Sequence, residues 1–287
     1  MVSVLVVNWN SGSALADCLD SLQSMPPRVA WEVVIVDNGS DDDSVSRAEA
    51  ILPAARIIRN GSNRGLPAAN NQAMVGGRGD FMLICNPDVV FKAGAVDALV
   101  ATMNRHPGAA FVVPRLLYAD GTLQTSAGDL PTVMDALLGR QTQRVRGNGA
   151  FWADGWDHDR EQVIGRGHES AYLVRRDAIA DIGLQDERFV LDWEGIDWTE
   201  RARRRGWQVW FCPEAEVLHL GGVSIRQVPL RWIVSSHRGM YRYWAKRRPL
   251  WWRPLLGTAF GARALAKVAL HRTGLATYER GHRRRAS

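Results

Sequence analysis

Phe81-Met82-Leu83-Ile84-Cys85-Asn86-Pro87-Asp88-Val89-Val90-Phe91 is the stretch that decides the fold. A short continuous apolar run reads as a strand buried on both faces, and it stops at Asn86-Pro87, leaving a carboxylate at its end. Upstream, Val33-Val34-Ile35-Val36 ends in the same way at Asp37-Asn38-Gly39-Ser40. In parallel α/β sheets ligands bind in the crevice beyond the carboxyl ends of the strands, so Asp37 and Asp88 mark one edge of one sheet.

Outward from these two runs, strands alternate with helical patterns. Val2 to Val7 reads as a first strand, and Leu15, Cys18, Leu19 and Leu22 then follow the spacing of a helix packed on a sheet, with Ser11 or Ser13 as its cap. A second helix is expected from the acceptor-rich run Asp41-Asp42-Asp43 to about Leu52, before Pro53. Arg56-Ile57-Ile58-Arg59 reads as a short strand, and helices are expected over Pro67 to Val75 and Ala93 to Asn104. Four such alternations imply an α/β fold with a doubly wound, mostly parallel sheet. The pattern loosens over 119–166, which is the composition of a functional loop. Ser170 to Val174 restores a strand and Arg176 to Ile182 a helix. The acidic and aromatic run Asp192-Trp193-Glu194-Gly195-Ile196-Asp197-Trp198 leads into a helix that ends before Gly206. Trp207 to Cys212 reads as a strand, and Val217-Leu218 as a further one that carries His219 at its end.

A chain of 287 residues with 46% hydrophobic content buries a substantial core, which excludes a disordered polypeptide. Cys18, Cys85 and Cys212 show no metal-ligand spacing and are expected to be reduced packing residues, as in a cytosolic protein. No secretory signal is expected, because the apolar run after Met1 is too short and ends at Asn8-Trp9-Asn10. The net charge of +6 hides an asymmetry: residues 231–287 hold 14 Lys/Arg against the single acid Glu279. An acidic body therefore carries a basic arm.

Taken together, these motifs resemble glycosyltransferase family 2 enzymes of the GT-A fold, in the rhamnosyltransferase-like branch. The markers are Val6-Val7-Asn8-Trp9-Asn10-Ser11-Gly12, Val36-Asp37-Asn38-Gly39-Ser40, Asn63-Arg64-Gly65 with Asn70-Asn71, and Asn86-Pro87-Asp88. Downstream they are Leu173-Val174-Arg175-Arg176, Asp186-Glu187-Arg188-Phe189, the 192–198 run, Arg201 to Trp207, and His219-Leu220-Gly221-Gly222. The resemblance implies a catalytic domain over 1–225, with a donor-binding half (1–115) and an acceptor half (116–225), followed by a helical extension over 226–287.

It further implies an inverting glycosyltransferase that moves a hexosyl or deoxyhexosyl unit, foremost L-rhamnose from dTDP-rhamnose, onto a lipid-linked or cell-envelope glycan. Asp37 would hydrogen-bond the pyrimidine base of the dTDP- or UDP-sugar, with Asn8, Asn10, Asn38, Gly39, Asn63, Gly65, Asn70 and Asn86 around the nucleotide. Asp88 and His219 would hold a divalent cation, Mg²⁺ or Mn²⁺, on the diphosphate. The plainer readings are a helix cap for Asp37, an Asx turn for Asp88 and a structural histidine.

Two positions depart from the family pattern. Relatives carry Glu-Asp-x-Asp and assign the general base to the Asp after the Glu, but that place is Gly195 here. The base then falls to Glu194, next Asp197, last Asp192, unless these acids only complement a helix dipole. Gly167-His168-Glu169-Ser170 replaces a run of small residues facing the acceptor, which implies an altered acceptor. Loss of the base also leaves open a non-catalytic nucleotide-sugar-binding protein.

In the arm, basic and aromatic residues alternate over 230–272, with Trp244 to Leu256 the densest part. Charges interrupt every long apolar window, so an interfacial helix is expected on the inner face of the cell membrane, where each Lys or Arg contributes about 1 kcal/mol. The same composition suits nucleic acid, but nothing in 1–220 supports that partner, and none is expected. Trp232, Tyr241 and Trp244 also suit wrapping of the domain or a contact between copies.

Overall fold

The computed structural model describes residues 1–138, 158–221 and 228–273. In chain order the elements are β1 (Val2–Asn8), α1 (Ala14–Ser24), β2 (Trp31–Asp37), α2 (Ser44–Ile51), β3 (Arg56–Arg59), α3 (Leu66–Gly76), β4 (Phe81–Cys85), β5 (Val89–Phe91), α4 (Ala95–Arg105) and β6 (Ala109–Leu117). Then follow β7 (Leu123–Gln124), β8 (Ala127–Gly128), α5 (Val133–Leu138), β9 (Gln162–Ile164), β10 (Arg166–Gly167), β11 (Ala171–Arg175), α6 (Arg176–Ile182), α7 (Glu194–Arg204), β12 (Gln208–His219), α8 (Pro229–Ala245) and α9 (Trp252–Arg272). Gly222 and Arg283 to Arg285 lie outside the described residues, as does the middle of the 119–166 stretch.

The main sheet runs β3-β2-β1-β4-β11-β6-β12-β5. Strands β3, β2, β1 and β4 are parallel, as the alternation of strand and helix requires. Successive residues of a strand face opposite sides, and both sides of β1 are buried: Val2, Val4 and Val6 meet α1 residues Leu15, Cys18, Leu19 and Leu22, while Leu5 and Val7 meet α3 residues Ala69, Ala73 and Met74. All three cysteines are free and buried.

Beyond β4 the parallel rule breaks. β11 runs antiparallel to both β4 and β6, because the long excursion before it brings the chain in from the opposite end. β12 is parallel to β6, and β5 closes the edge antiparallel to β12. The two strands expected over 207–212 and 217–219 are one, with a register shift between Cys212 and Glu216. Pro213 lies in that shift, where a residue without an N–H costs no ladder hydrogen bond. The expected side-chain cap of α1 is absent: Ser13 makes none, and the Ser11 hydroxyl donates to Asn8 Oδ1 instead.

The arm packs on the body through its own core. Tyr243 and Trp244 of α8 and Leu256 and Phe260 of α9 are buried against Phe189, Trp193, Ile196 and Ala136. Beside this cluster Asp197, fully buried, accepts hydrogen bonds from Lys246 (2.8 Å) and Arg247 (2.9 Å) through Oδ1 and from Arg201 (3.2 Å) through Oδ2. Part of the aromatic content read as interfacial is thus spent on wrapping.

Phe260→Ala removes a fully buried aromatic side chain from this joint and is expected to lower stability by about 3–5 kcal/mol. Denaturant unfolding followed by tryptophan fluorescence checks this, and an unchanged midpoint would show that the arm shares no core with the body.

Candidate active site

Pairing of β1 with β2 sets Asn8 opposite Asp37, and pairing with β4 sets Val6 opposite Cys85, so Asn86-Pro87-Asp88 follows one strand over. Asn8 and Asp37 are both buried. The Asn8 amide donates to Asp37 Oδ1 (3.1 Å), to Ser40 Oγ (3.1 Å) and to Ser44 Oγ (2.8 Å). Ser40 donates its hydroxyl to Asp37 Oδ1 (2.6 Å) and its N–H to Oδ2 (3.3 Å). Three of the roughly four acceptor positions of this carboxylate are thereby taken, which leaves one on Oδ2. Gly39 has φ +83°, and a Cβ there would lie 2.9 Å from Ser62 Cα, so only glycine fits the turn.

The neighbouring loop is held by the same kind of network. Asn38 donates to Asn63 Oδ1 (3.1 Å) and accepts from Arg64 N–H (3.0 Å) and Asn60 Nδ2 (3.1 Å), while Gly65 N–H donates to Asn63 Oδ1 (3.0 Å). Asn10 adopts φ +46°, donates its N–H to Ser40 Oγ (3.0 Å) and accepts from Asp41 N–H (2.9 Å). Asn70 lies farther along α3. It is buried, and its amide donates to Gln185 Oε1 (3.1 Å), whose own amide donates to the Tyr172 hydroxyl (2.9 Å). Its carboxamide ties α3 to the acceptor half.

Asp88 and His219 meet because β5 pairs with β12 in a register that sets His219 opposite Val89. Leu220 N–H donates to the Asp88 carbonyl (2.9 Å), and His219 Nε2 stands 3.7 Å from Asp88 Oδ1. His219 Nδ1 lies 3.1 Å from Gln124 Oε1. That amide oxygen can only accept, so Nδ1 carries a proton toward it and Nε2 is turned to Asp88. The His168 ring lies beside that of His219, with centroids 5.2 Å apart. Asn86 N–H donates to Ser170 O (2.8 Å), which draws residues 168–170 to the same edge.

The acidic run opens α7. Asp192 and Trp193 carry positive φ (68° and 73°), which turns the chain sharply into the helix. Glu194 is 1% exposed, its Oε2 has no hydrogen-bond donor, and burial together with the charges of Glu169 and Asp192 pushes its pKa well above the ordinary value. A sealed carboxyl of this kind holds its proton at neutral pH. Asp197 is locked to three cations. Asp192 is half-buried and raised by burial, with Ser236 and Trp232 of the arm drawing it back down. Glu169 is half-buried; burial and the Asp192 charge raise it to about 7, against the pull of Arg166 and of the Gly195 and Ile196 amides.

Beside Glu169 and Gly195 lies a void of about 20 Å³ floored by Phe111, Tyr172 and Trp198, room for one water and too small for a sugar. Sequence reasoning missed Gln124, which orients His219, and Gln185, which links the halves. Both lie outside any run of motif residues, and only the register of β7 on β6 or the fold of the 183–190 loop brings them in.

Residues 3–182 match the family model of Glycosyl transferase family 2. The N-acetylglucosaminyl-diphospho-decaprenol L-rhamnosyltransferase of Mycobacterium tuberculosis (strain ATCC 25618 / H37Rv) is 30% identical over 96% of this chain and 94% of its own length. The low-salt glycan biosynthesis hexosyltransferase Agl10 of Haloferax volcanii is 24% identical over 76% of this chain and 66% of its own. Among solved structures, the mannosyltransferase PcManGT from Pyrobaculum calidifontis, in complex with GDP-Man and Mn²⁺, superposes with a TM-score of 0.56 at 17% identity, over 96% of this chain and 79% of that one. The TarS 1–349 fragment of S. aureus in complex with UDP gives 0.54 at 15% identity, over 90% and 69%. With a family match over more than half its length, a near full-length relative and the strand-end site described above, this chain belongs to glycosyl transferase family 2 and is a glycosyltransferase of the GT-A fold.

Proposed function

We propose that the protein transfers an L-rhamnosyl unit from dTDP-L-rhamnose, with inversion, to a lipid-linked acceptor of the N-acetylglucosaminyl-diphospho-polyprenol type. The observation that carries this reading is the likeness to the mycobacterial rhamnosyltransferase, which runs through the arm as well as the body. Asp37 accepts from the ring N–H of the base through Oδ2, and the Asn38, Asn63 and Gly65 loop and Asn10 shape the walls around it. Asp88 and His219 lie beside the diphosphate. At that point one carboxylate oxygen and one imidazole nitrogen fit a hard divalent cation, which would neutralise charge on the leaving nucleotide. Among the described residues no group of three or more His, Cys, Asp and Glu converges on one point, and the diphosphate and water would supply the remaining ligands.

The arm brings the enzyme to its acceptor at the inner face of the cell membrane. No helix among the described residues is long and apolar enough to cross a membrane. Leu250 (69% exposed), Trp251 (66%), Leu255 (59%) and Leu265 (72%) nevertheless face solvent next to exposed Arg248 and Arg253, the make-up of an interfacial surface.

Incubation with a panel of nucleotide sugars, Mg²⁺ or Mn²⁺ and a diphospho-polyprenol acceptor is expected to give a rhamnosylated lipid and dTDP, with Asp88→Asn lowering kcat roughly 10²-fold or more. No transfer and no nucleotide release with any donor would sink the proposal. Mn²⁺ is expected to bind appreciably only when dTDP is present, and Gln124→Ala, by freeing the His219 ring, to weaken that binding about 10–100-fold; calorimetry reads both. Sedimentation with anionic vesicles should carry the protein down in a salt-sensitive manner, and the combined L250S, W251S and L255S changes should leave it in the supernatant.

A further inference from the structure

An acceptor hydroxyl is a poor nucleophile until a base takes its proton, and that base must reach the cleft, be free to accept, and titrate near the working pH. Among the acids of the 192–198 run none meets all three demands. Glu194 is sealed at 1% exposure. Asp197 is fully buried with each oxygen engaged by a cation. Asp192 is turned by its positive φ toward Ser236 and Trp232 of the arm.

The remaining carboxylate comes from a different part of the chain. Glu169 sits in the turn before β11, one residue from Ser170, whose carbonyl accepts from Asn86, and one from His168, whose ring lies beside His219. It therefore stands between the strand ends that carry Asp88 and the start of α7. A Cβ built on Gly195 would fall 2.4 Å from Glu169 Cδ and 2.7 Å from its Cγ and Oε1. The Glu169 carboxyl thus fills the volume that any side chain at 195 would need, and the two departures noted in the sequence are one exchange in space. We infer that Glu169 is the general base of the transfer, supplied from the turn because residue 195 has no side chain.

This rests on the rhamnosyl-transfer reading. In the step, the acceptor O–H proton passes to a Glu169 carboxylate oxygen and the acceptor oxygen forms its bond to the anomeric carbon. The bond from that carbon to the diphosphate oxygen breaks, and its electron pair leaves with dTDP. The groups that face Glu169 set its readiness: Glu194 behind it holds a proton, Asp192 repels its charge, and Arg166 with the Gly195 and Ile196 amides favours the ionised form. Tyr172 below it is pushed well up, by burial first and then by the Glu169 charge, and stays neutral.

The full-length protein with dTDP-rhamnose and lipid acceptor tests the assignment. Wild-type kcat should fall as pH drops through about 7, where Glu169 takes up a proton. Glu169→Gln should lower kcat about 10²–10⁴-fold and remove that acidic limb, with dTDP affinity unchanged. The exchange variant, E169G with G195D, should regain much of the lost activity, whereas E169G alone should not. E169Q that keeps wild-type turnover with the acidic limb in place overturns the assignment, as does failure of the exchange variant to exceed E169G while both still bind dTDP. Failure of the wild type to transfer from any donor overturns the rhamnosyl-transfer reading and this assignment together.

Discussion

The register of β1 against its two parallel neighbours is the constraint on which the site depends. Both faces of β1 are buried, so a slip by one residue would exchange Val4 and Val6 for Leu5 and Val7 against helices shaped for the other set. That packing demand fixes Asn8 beside Asp37 and starts the Asn86-Pro87-Asp88 turn at a defined depth. A second register, β5 on β12, delivers His219 to Asp88 from a strand more than a hundred residues downstream. The polar site is therefore positioned by apolar burial, and its own hydrogen bonds only trim it.

Buried charge then separates structural acids from available ones. Moving a carboxylate out of water is costly unless cations or donors surround it. Asp197 meets that cost with Lys246, Arg247 and Arg201, which makes it a rivet between body and arm. Asp37 meets it with Asn8 and Ser40. Among the described residues Glu194 has no cation beside it and an unsatisfied Oε2, so burial and its acidic neighbours drive its pKa up instead. Acids that look alike along the sequence differ because each solves the same desolvation problem in its own surroundings.

Legibility of the sequence follows the range of the interactions. Strand ends at Asp37 and Asp88 could be read directly, since a buried apolar run that stops at a turn is a local pattern. So could the helix over 176–182 and the helix that follows the acidic run and ends before Gly206. The direction of β11 could not, because it depends on where a long excursion returns. The continuity of β12 through Pro213 was hidden by a residue that normally breaks a strand. The arm was legible as basic and aromatic, but which aromatics it buries was not: Tyr243 and Trp244 pack on Phe189 and Trp193, while Trp251 stays outside. Glu169 and Gly195 were each visible as departures, yet their shared volume exists only once β11 and α7 are folded together.

The arm joins the acceptor side of the site to the surface proposed to meet the membrane. α8 contributes Ser236 to Asp192, the turn that follows it contributes Lys246 and Arg247 to Asp197, and α9 packs on α8 while presenting Leu255 and Leu265 to solvent. Anything that shifts α9 on a lipid surface therefore bears on the acids opening α7, and through Gly195 on Glu169. On the donor side, Asp37, Asp88 and His219 are set at the ends of sheet strands or just beyond them. A lipid-linked acceptor would thus reach a site whose acceptor half is held by the same helices that are proposed to meet the membrane.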